Sequence, residues 1–476
     1  MSEHVPYYTL FYVTLEQHTE FNTASGEQGN DVDIALAKDG NDNYIIRGTT
    51  LAGAMVDQAK KLGIPVEYDI SGEAPAQDKN NKPICIPSRL RVDTASLKTP
   101  LHDAIVRQHV AIDEVTGAAK PNALFDVQVL PKGNLWHCFI EVNMIDCTPR
   151  SIAPDELVAH VLHYWQTNYL FLGHRPVAGY GWFKVQQAEV VTLTNEHVFD
   201  YPNSTCDFTQ NKVQLCKQLQ VQSTPLDQFV KNKTLADAPV LRKTLLVTLS
   251  AGANLDGSGE QWGVDGFFIG GHSQDIPESI HELPDSVLSH FSTGSSYKLQ
   301  DQDTPDNFFV VDENHQPYIP GASIRGVLNH QLIRANESKI AHSLFGSLNK
   351  QNGKVQSSNL YIKPAYLQHD DWQAMVFHNH AEDEFTAGVY GSNKFVRTAV
   401  VRGSFVTELV LEYIKDPDAS NADHMKSEVK AQYDALCNAL QQGAQSQLAI
   451  GAKQWVDSGW LRWKVQEQKE EGADND

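Results

Sequence analysis

Two stretches of the chain have similar sequences, and this similarity indicates how the chain is divided into domains. The first, DIALAKDGNDNYIIRGTTLAG, runs from Asp33 to Gly53, and the second, DNFFVVDENHQPYIPGASIRG, runs from Asp306 to Gly326. The offset is 273 residues throughout, so Asp33 matches Asp306 and Gly53 matches Gly326. Self-similarity at a constant offset is the signature of a duplicated structural unit. The chain is therefore predicted to contain two copies of one domain.

Three further pairs of segments follow in the same order in both copies. Their offsets of 270, 271 and 278 residues stay close to 273, which makes chance similarity a poor explanation. The pairs are SRLRV (88–92) with SNLYI (358–362), HVAIDEVTG (from His109) with HAEDEFTAG (from His380), and GHRPVAGYGW (173–182) with GAKQWVDSGW (451–460). These anchors predict a first domain over 1–205, a partly helical linker over 206–241, a second domain over 242–465 and an acidic tail over 466–476.

The pattern within each copy favours an α+β fold. Each begins with an alternating strand, YTLFYVTL or KTLLVTLSA, and continues through a loop into a glycine-bounded turn and a helix. Later strands, LWHCFIEVNM and SFVTELVLEY, follow a histidine-containing loop, and a second helix then leads into the last glycine-rich turn. This order is typical of ferredoxin-like domains, of which the chain would hold two in tandem. Sheets of this kind commonly present one face to single-stranded RNA.

Composition and charge exclude several classes of protein. No apolar run approaches the roughly 20 residues of a membrane span, and the first residues lack the features of a signal peptide, so we expect a cytoplasmic protein with no membrane partner. The six cysteines form no C-x-x-C pair, which argues against a zinc site and a disulfide framework. A net charge of −21 opposes binding of nucleic acid by the whole surface. We therefore expect weak RNA binding by the isolated chain, through a local basic track or with help from other subunits.

The glycine-rich turns are candidate phosphate-binding elements. Backbone N–H groups at the start of a helix can hold a phosphate, and glycine permits close approach of the ligand. The alternative is an ordinary tight turn whose hydroxyl side chains cap the helix. The residues concerned are Gly48, Thr49, Thr50 and Gly53 in the first copy and Gly321, Ser323, Arg325 and Gly326 in the second.

Three of these segments resemble the RAMP superfamily, the repeat-associated CRISPR proteins. PGASIRG (320–326) looks like the glycine-rich signature of that family, and the block 107–131 is similar to the central segment of its type III backbone subunits. GHRPVAGYG (173–181) resembles their closing glycine-rich loop. The first copy departs from the signature, with Arg47 in place of the proline and Ala52 in place of the basic residue.

The resemblance implies a backbone subunit of a type III CRISPR effector, whose partners are a guide RNA, a single-stranded target RNA and other effector subunits. In such subunits a β-hairpin thumb separates the guide–target duplex at intervals, and a loop aspartate before the glycine-rich turn cuts the target. Asp33 and Asp306 occupy that position and are the candidate catalytic residues. A divalent ion, expected to be Mg²⁺, would assist cleavage. The sequence does not identify its ligands. The matching blocks add Arg107, His109, Arg175 and His380 as candidate RNA contacts.

Two other functions remain open at the level of sequence. Aspartates are common in loops because their side chains bond to nearby backbone groups, so Asp33 and Asp306 would also suit a scaffold that binds guide RNA without cutting it. A guide-processing nuclease that uses His109 or His380 as a general base is the third possibility, since an imidazole titrates near pH ~6.5.

Overall fold

The computed structural model describes most of the chain. The described residues are 5–24, 32–71, 87–97, 99–112, 119–146, 152–201, 212–231, 240–252, 266–270, 277, 280–291, 305–348, 355–382, 389–414, 422–444, 448–452 and 458–467. Below, the first half means residues 5–231 and the second half means residues 240–467.

The first half is built from strands and helices in alternation. In chain order its elements are β1 (Pro6–Gln17), β2 (Tyr44–Ile46), α1 (Gly48–Lys61), α2 (Tyr68–Ser71), β3 (Leu90–Val92), β4 (Ala95–Leu97), β5 (Ile105–Ile112), β6 (Ala119–Val129), β7 (Leu135–Asn143), α3 (Pro154–Thr167), β8 (Leu170–Phe171), β9 (Trp182–Thr194), α4 (Lys212–Leu219), β10 (Thr224–Pro225) and α5 (Leu226–Val230).

The second half repeats this order with short additions. Its elements are β11 (Val240–Ala251), α6 (Asp285–Leu288), α7 (Gly321–Arg334), α8 (Ser338–Phe345), β12 (Ser347–Leu348), β13 (Val355–Gln356), β14 (Leu360–Ile362), β15 (Tyr366–Leu367), β16 (Gln373–Glu382), β17 (Val389–Ile414), α9 (Ala422–Ala444) and β18 (Arg462–Glu467).

Both halves have the same antiparallel strand order. In the first, β1 lies between β9 and β7, and β7 pairs on its other side with β3. In the second, β11 lies between β18 and β17, and β17 pairs with β14. The prediction of a mixed fold with antiparallel sheets is therefore confirmed.

One face of each sheet is covered by helices because apolar side chains recur at helical spacing. In α1 the buried residues include Leu51, Met55 and Ala59, each four residues after the last, and these pack against the first sheet. In α7 the corresponding buried positions are Ile324 and Leu328, followed by Leu332. Each helix thus places its glycine-rich start at the same edge of its own sheet.

A β-hairpin extends from each sheet. β5 pairs with β6, and β16 pairs with the first part of β17, whose second part from Gly403 onward pairs with β11. The two histidines lie in strands of these hairpins, not in loops as the sequence suggested. His109 lies opposite Phe125, and His380 lies opposite Lys394.

The predicted linker contains ordered elements that pack on the first half. α4 lies against β1 and β9, β10 pairs with β9, and α5 contacts α3. Leu215 and Leu219 of α4 are buried by this contact. The apolar residues whose spacing predicted helices in this segment are thus the ones that pack on the first half. The predicted domain boundaries stay predictions.

The first glycine of each turn is required by close packing. A Cβ on Gly48 would lie 2.0 Å from the carbonyl oxygen of Val92, and one on Gly321 would lie 2.4 Å from the carbonyl oxygen of Ile362. These carbonyls end matching strands, β3 and β14. By contrast, a Cβ on Gly53 or on Gly326 meets nothing within 4 Å.

We therefore expect opposite effects from two alanine substitutions in α1. Gly48→Ala should lower the free energy of unfolding by about 1–3 kcal/mol, because the helix must move away from β3. Gly53→Ala, the matched control in the same helix, should raise it by about 0.5–1 kcal/mol, since alanine is the better helix former. Urea denaturation of the two variants measures both values, and equal effects would contradict the packing argument.

Candidate nucleic-acid interface

The two halves meet at a surface with buried charges, which we call the seam. The carboxylate of Glu20, which is 4% exposed, accepts hydrogen bonds from Nε and Nη2 of Arg107 at 2.9 and 2.6 Å. Nη2 of Arg107 also donates to the carbonyl oxygen of Val311 at 2.8 Å, and the Tyr318 hydroxyl lies 3.4 Å from Glu20. Burial acts to lower the pKa of Arg107, but Glu20 outweighs it and holds that pKa above its ordinary value. Arg107, a candidate RNA contact, is thus engaged in joining the halves.

Further polar and aromatic contacts extend the seam. Lys132 bonds to Asp312 at 3.0 Å and lies 3.3 Å from Glu313. Elsewhere Lys363 and Glu408 form an ion pair at 2.9 Å, and both bond to the Tyr169 hydroxyl. The ring of Phe171 stacks on Tyr361 with centroids 4.0 Å apart. These contacts fix the second half against the last strands of the first.

The sheet faces opposite the helices are each partly covered by other parts of the chain. In the first half, α4 packs on the face that carries Leu10 and Phe139. In the second half, Val410 and Tyr361 pack against Tyr169 and Trp182 of the first half.

The two candidate catalytic aspartates have the same local geometry. Oδ2 of Asp33 accepts a hydrogen bond from the backbone N–H of Asp126 at 2.9 Å, and Oδ2 of Asp306 accepts one from the backbone N–H of Val396 at 2.7 Å. Both side chains are exposed, and both amides belong to the returning strand of a hairpin. The residue after each aspartate forms a parallel bridge to the residue after each amide donor. Each half thus holds one exposed carboxylate at the base of its hairpin.

Other aspartates of the repeat are structural. Asp39 accepts hydrogen bonds from the backbone N–H groups of Asn41 and Asn43, and Asp312 accepts them from those of Asn314 and Gln316. This arrangement closes the turn before each glycine-rich segment. The D-x5-D spacing therefore pairs one exposed aspartate with one turn-forming aspartate.

The helix starts lack the capping interaction that would explain the hydroxyl residues. The N-cap residues are Arg47 and Pro320, and neither makes a side-chain capping hydrogen bond within the described residues. Thr49 is exposed and Ser323 is half-buried, so hydroxyl groups border each helix start without capping it. The alternative of a turn capped by these residues is not supported, and the predicted phosphate contacts stay predictions.

The remaining candidate contacts differ in accessibility. The ring of His109 stacks on Phe125, and its Nε2 lies 2.9 Å from the Tyr180 hydroxyl. Burial and then the charges of Arg175, of His174 when it is protonated, and of Arg107 lower the pKa of His109 to about 4, so it is neutral at pH 7. His380 is exposed.

Comparison with known proteins establishes the family. The model of the RAMP superfamily matches residues 14–184 and 267–454, one region in each half and well over half of the chain. The chain belongs to the RAMP superfamily. The search of curated protein sequences gave no match. Among solved structures, the chain is similar to one in the cryo-EM structure of the type III-B Cmr-beta bound to cognate target RNA, with 12% identity and a TM-score of 0.30.

That similarity covers 39% of this chain and 61% of the other, which is less than two thirds of the other's length. The two regions matched by the RAMP family model coincide with the two copies that the internal repeat defines. The sequence resemblance to this family is therefore confirmed. None of the helices in the described part of this RAMP protein has the length and hydropathy that a membrane span requires.

The part of the chain that the structure describes offers a divalent ion few ligands. Within the described residues no group of three or more His, Cys, Asp or Glu side chains could hold a metal. Mg²⁺ in phosphoryl-transfer sites is often held by one or two carboxylates together with substrate phosphates and water. One exposed carboxylate in each half of this RAMP protein fits that description, and the predicted need for Mg²⁺ stays a prediction.

The buried ion pair of the seam should contribute strongly to stability. Glu20→Gln should lower the free energy of unfolding by about 3–5 kcal/mol, because the Arg107 cation is left buried without a counter-ion. The matched control is Arg91→Ala, which removes the exposed pair with Asp93 and should cost about 1 kcal/mol or less. Urea denaturation measures both, and a cost for Glu20→Gln as small as that of the control would contradict this assignment.

Proposed function

We propose that the chain is a backbone subunit of a type III CRISPR effector that binds guide RNA and cleaves complementary target RNA. The observation that carries the proposal is the duplicated aspartate. Each RAMP half presents one exposed carboxylate, Asp33 or Asp306, hydrogen-bonded to the same position of its hairpin. The function requires a cutting group that recurs at intervals along an RNA, and the internal repeat supplies that recurrence.

The architecture supports two ferredoxin-like domains with hairpin thumbs. In each half the central strands have the order last, first, third, second along the sheet, for example β9-β1-β7-β3. This is the order expected of a split βαβ fold. The hairpins β5–β6 and β16–β17 start beside the candidate catalytic residues. Under the proposal they act as the thumbs that separate guide from target.

The guide would follow the glycine-rich helix starts. Gly53 and Gly326 lie inside helices, where glycine costs about 1 kcal/mol relative to alanine, and both face open space. No contact among the described residues requires glycine at these two positions. A ligand that approaches the backbone closely would explain why glycine is present. A phosphate chain is such a ligand, and it would be favoured by the positive end of each helix.

The chemistry needs one well-placed carboxylate in each half. The backbone hydrogen bond to Oδ2 fixes the orientation of Asp33 and leaves its other oxygen without a partner among the described residues. That oxygen can accept the proton of a ribose 2′-hydroxyl and align it for attack on the adjacent phosphorus. The attack forms a 2′,3′-cyclic phosphate and breaks the bond to the 5′-oxygen of the next nucleotide, which takes a proton from water. A bound Mg²⁺ would stabilise negative charge on the phosphate.

A scaffold that binds guide RNA without cutting it is the second candidate. The hydrogen bonds from the amides of Asp126 and Val396 give each aspartate a structural reason to be present. The guide-processing alternative has less support, because His109 has its Nε2 engaged with Tyr180.

Asparagine and alanine variants separate these functions. Asp33→Asn keeps an oxygen that accepts the amide hydrogen bond but removes the charge, whereas Asp33→Ala removes both. If Asp33 cuts, both variants should lower cleavage at one target position by about 100-fold or more, while Asp306→Asn abolishes cleavage at the other position. If the aspartate is only structural, Asn should behave as wild type.

The measurement is cleavage of a labelled target RNA by the assembled effector with Mg²⁺, read as product bands. Free energies of unfolding of the Asn variants should change by about 0.5 kcal/mol or less, which serves as the control for folding. A complete set of bands from the Asp33→Asn/Asp306→Asn double variant would overturn the catalytic proposal and favour the scaffold.

Guide binding should depend on both salt and the open space at the helix starts. We expect the dissociation constant for single-stranded RNA to rise steeply with salt, because phosphate contacts release counterions. Gly53→Ala and Gly326→Ala should weaken binding although they stabilise the helices. Filter binding across a salt series tests this, and unchanged affinity in both variants would show that RNA does not approach these helices.

A further inference from the structure

A groove crosses the helical side of the second half, between the end of α7, the start of α8 and one face of α9. Its cavity volume is about 630 Å³, and the residues that line it come from 331–340 on one side and 431–442 on the other. Because an α-helix rises about 1.5 Å per residue, α9 borders the groove over roughly 17 Å, or three turns. The groove is therefore long enough to hold a short helix.

Small side chains form much of the wall that α9 contributes. Ala431, Ala435 and Ala439 recur at every fourth residue, and Ala335 at the end of α7 lines the same cavity. Side chains spaced by four residues form the ridges that interdigitate when two helices pack together. A row of alanines makes a low ridge, which leaves room for the side chains of another helix. The shape of the groove thus suits a helix that lies along α9.

The rim of the groove is acidic. Glu337 and Asp434 are exposed and come from opposite sides, and no lysine, arginine or histidine of the described chain lines the cavity. Neither carboxylate has an ion-pair partner within the part of the chain that the structure describes. Glu337 directly precedes α8, yet its side chain makes no capping hydrogen bond to that helix. The two carboxylates are therefore available to cations from outside the chain.

The walls of the groove are held in place before any partner arrives. The side-chain amide of Gln331 in α7 donates a hydrogen bond to the side-chain oxygen of Gln442 in α9, which ties the ends of the two helices together. Leu332 and Ala439, which also line the groove, are buried in the core of the second half. A preformed surface binds without the cost of ordering its own side chains.

We propose that this groove binds a basic α-helix of a partner protein, with small side chains over the alanine row and Lys or Arg side chains paired with Glu337 and Asp434. Helices that dock in grooves use anchor residues at positions i, i+3 or i+4, and i+7, which three turns supply. RNA does not fit this surface, because its phosphates would meet two carboxylates without counter-ions. Gln331 lies ten residues, or roughly 15 Å along α7, from the glycine-rich start. The groove is thus separate from the surface to which the proposed function assigns the guide.

The experiment measures binding of a model helix to the full chain by fluorescence anisotropy. The probe is a labelled alanine peptide of about 15 residues with lysine at every fourth position, a length at which such helices begin to form in water. A second peptide has the same charge, but prolines at two central positions prevent it from forming a helix. The helical peptide should bind more tightly, because only it can lay its lysines along the groove.

Two variants remove different features of the groove. Glu337→Gln/Asp434→Asn removes both charges and should weaken binding of the helical peptide about fivefold or more. Ala431→Trp keeps both charges but fills the groove from an exposed position, so it should weaken binding as well. The matched control, Asp103→Asn/Asp285→Asn, removes two exposed charges outside the groove and should bind as wild type. All three should melt within about 1 °C of wild type, since exposed side chains contribute little to stability.

Each outcome decides for or against the proposal without reference to RNA. Loss of binding in both groove variants, with the control unchanged, would support it. An equal loss in the control would show that the attraction comes from the net charge of −21 and would overturn the proposal. Equal binding of the proline peptide would identify an extended segment as the occupant instead. Tighter binding of spermidine than of the helical peptide, lost in the same two variants, would identify a small polycation. No saturable binding of the helical peptide to wild type would also overturn the proposal.

Discussion

The structure depends most on the buried carboxylate of Glu20. Its backbone carbonyl oxygen accepts a hydrogen bond from the N–H of Gly181 at 2.8 Å, which holds the end of the closing loop. Its side chain holds Arg107 at the base of the β5–β6 hairpin and lies beside Tyr318 of the second half. An unpaired charge in this environment would cost several kcal/mol, so the geometry of all three elements is constrained together. The hairpin, the closing loop and the second half are therefore positioned by one residue.

Because the seam is polar and specific, the separation between the two halves is fixed. Under the proposed function this rigidity is required, since two exposed carboxylates could act on one strand at regular spacing only if the two halves do not move independently. Ion pairs such as Lys132–Asp312 and the stacked rings of Phe171 and Tyr361 serve this purpose. Inter-domain contacts of small area would allow relative motion by default.

The distribution of charge reconciles an acidic protein with an RNA-binding role. Net charge of −21 governs solubility and non-specific attraction, whereas binding depends on the local field at a groove. At the junction of the closing loop and α7, Arg175 and Arg325 lack carboxylate partners among the described residues. An acidic exterior would oppose indiscriminate binding of RNA, and a few well-placed cations would restrict binding to one path.

The sequence alone determined the features that depend on local pattern. The offset of 273 residues gave the duplication, alternation and helical spacing gave the strands and the α1 and α7 helices, and the glycine-rich signature indicated the RAMP family. The matched positions of Asp33 and Asp306 could be identified in the same way. Their equivalence extends to the backbone hydrogen bond, which pairs each with a residue about 90 positions later.

Only the tertiary structure decided how several candidate residues are used. Arg107 was read as a contact for RNA, but the structure pairs it with Glu20, 87 residues away, and with Val311, 204 residues away. The partial covering of both sheet faces and the placement of His109 in a hairpin were equally impossible to predict from the sequence. Periodicity reports which side of an element is apolar and says nothing about what covers its polar side. That choice is made by contacts between segments distant in the chain, where burial and charge pairing, and not local propensity, determine the free energy.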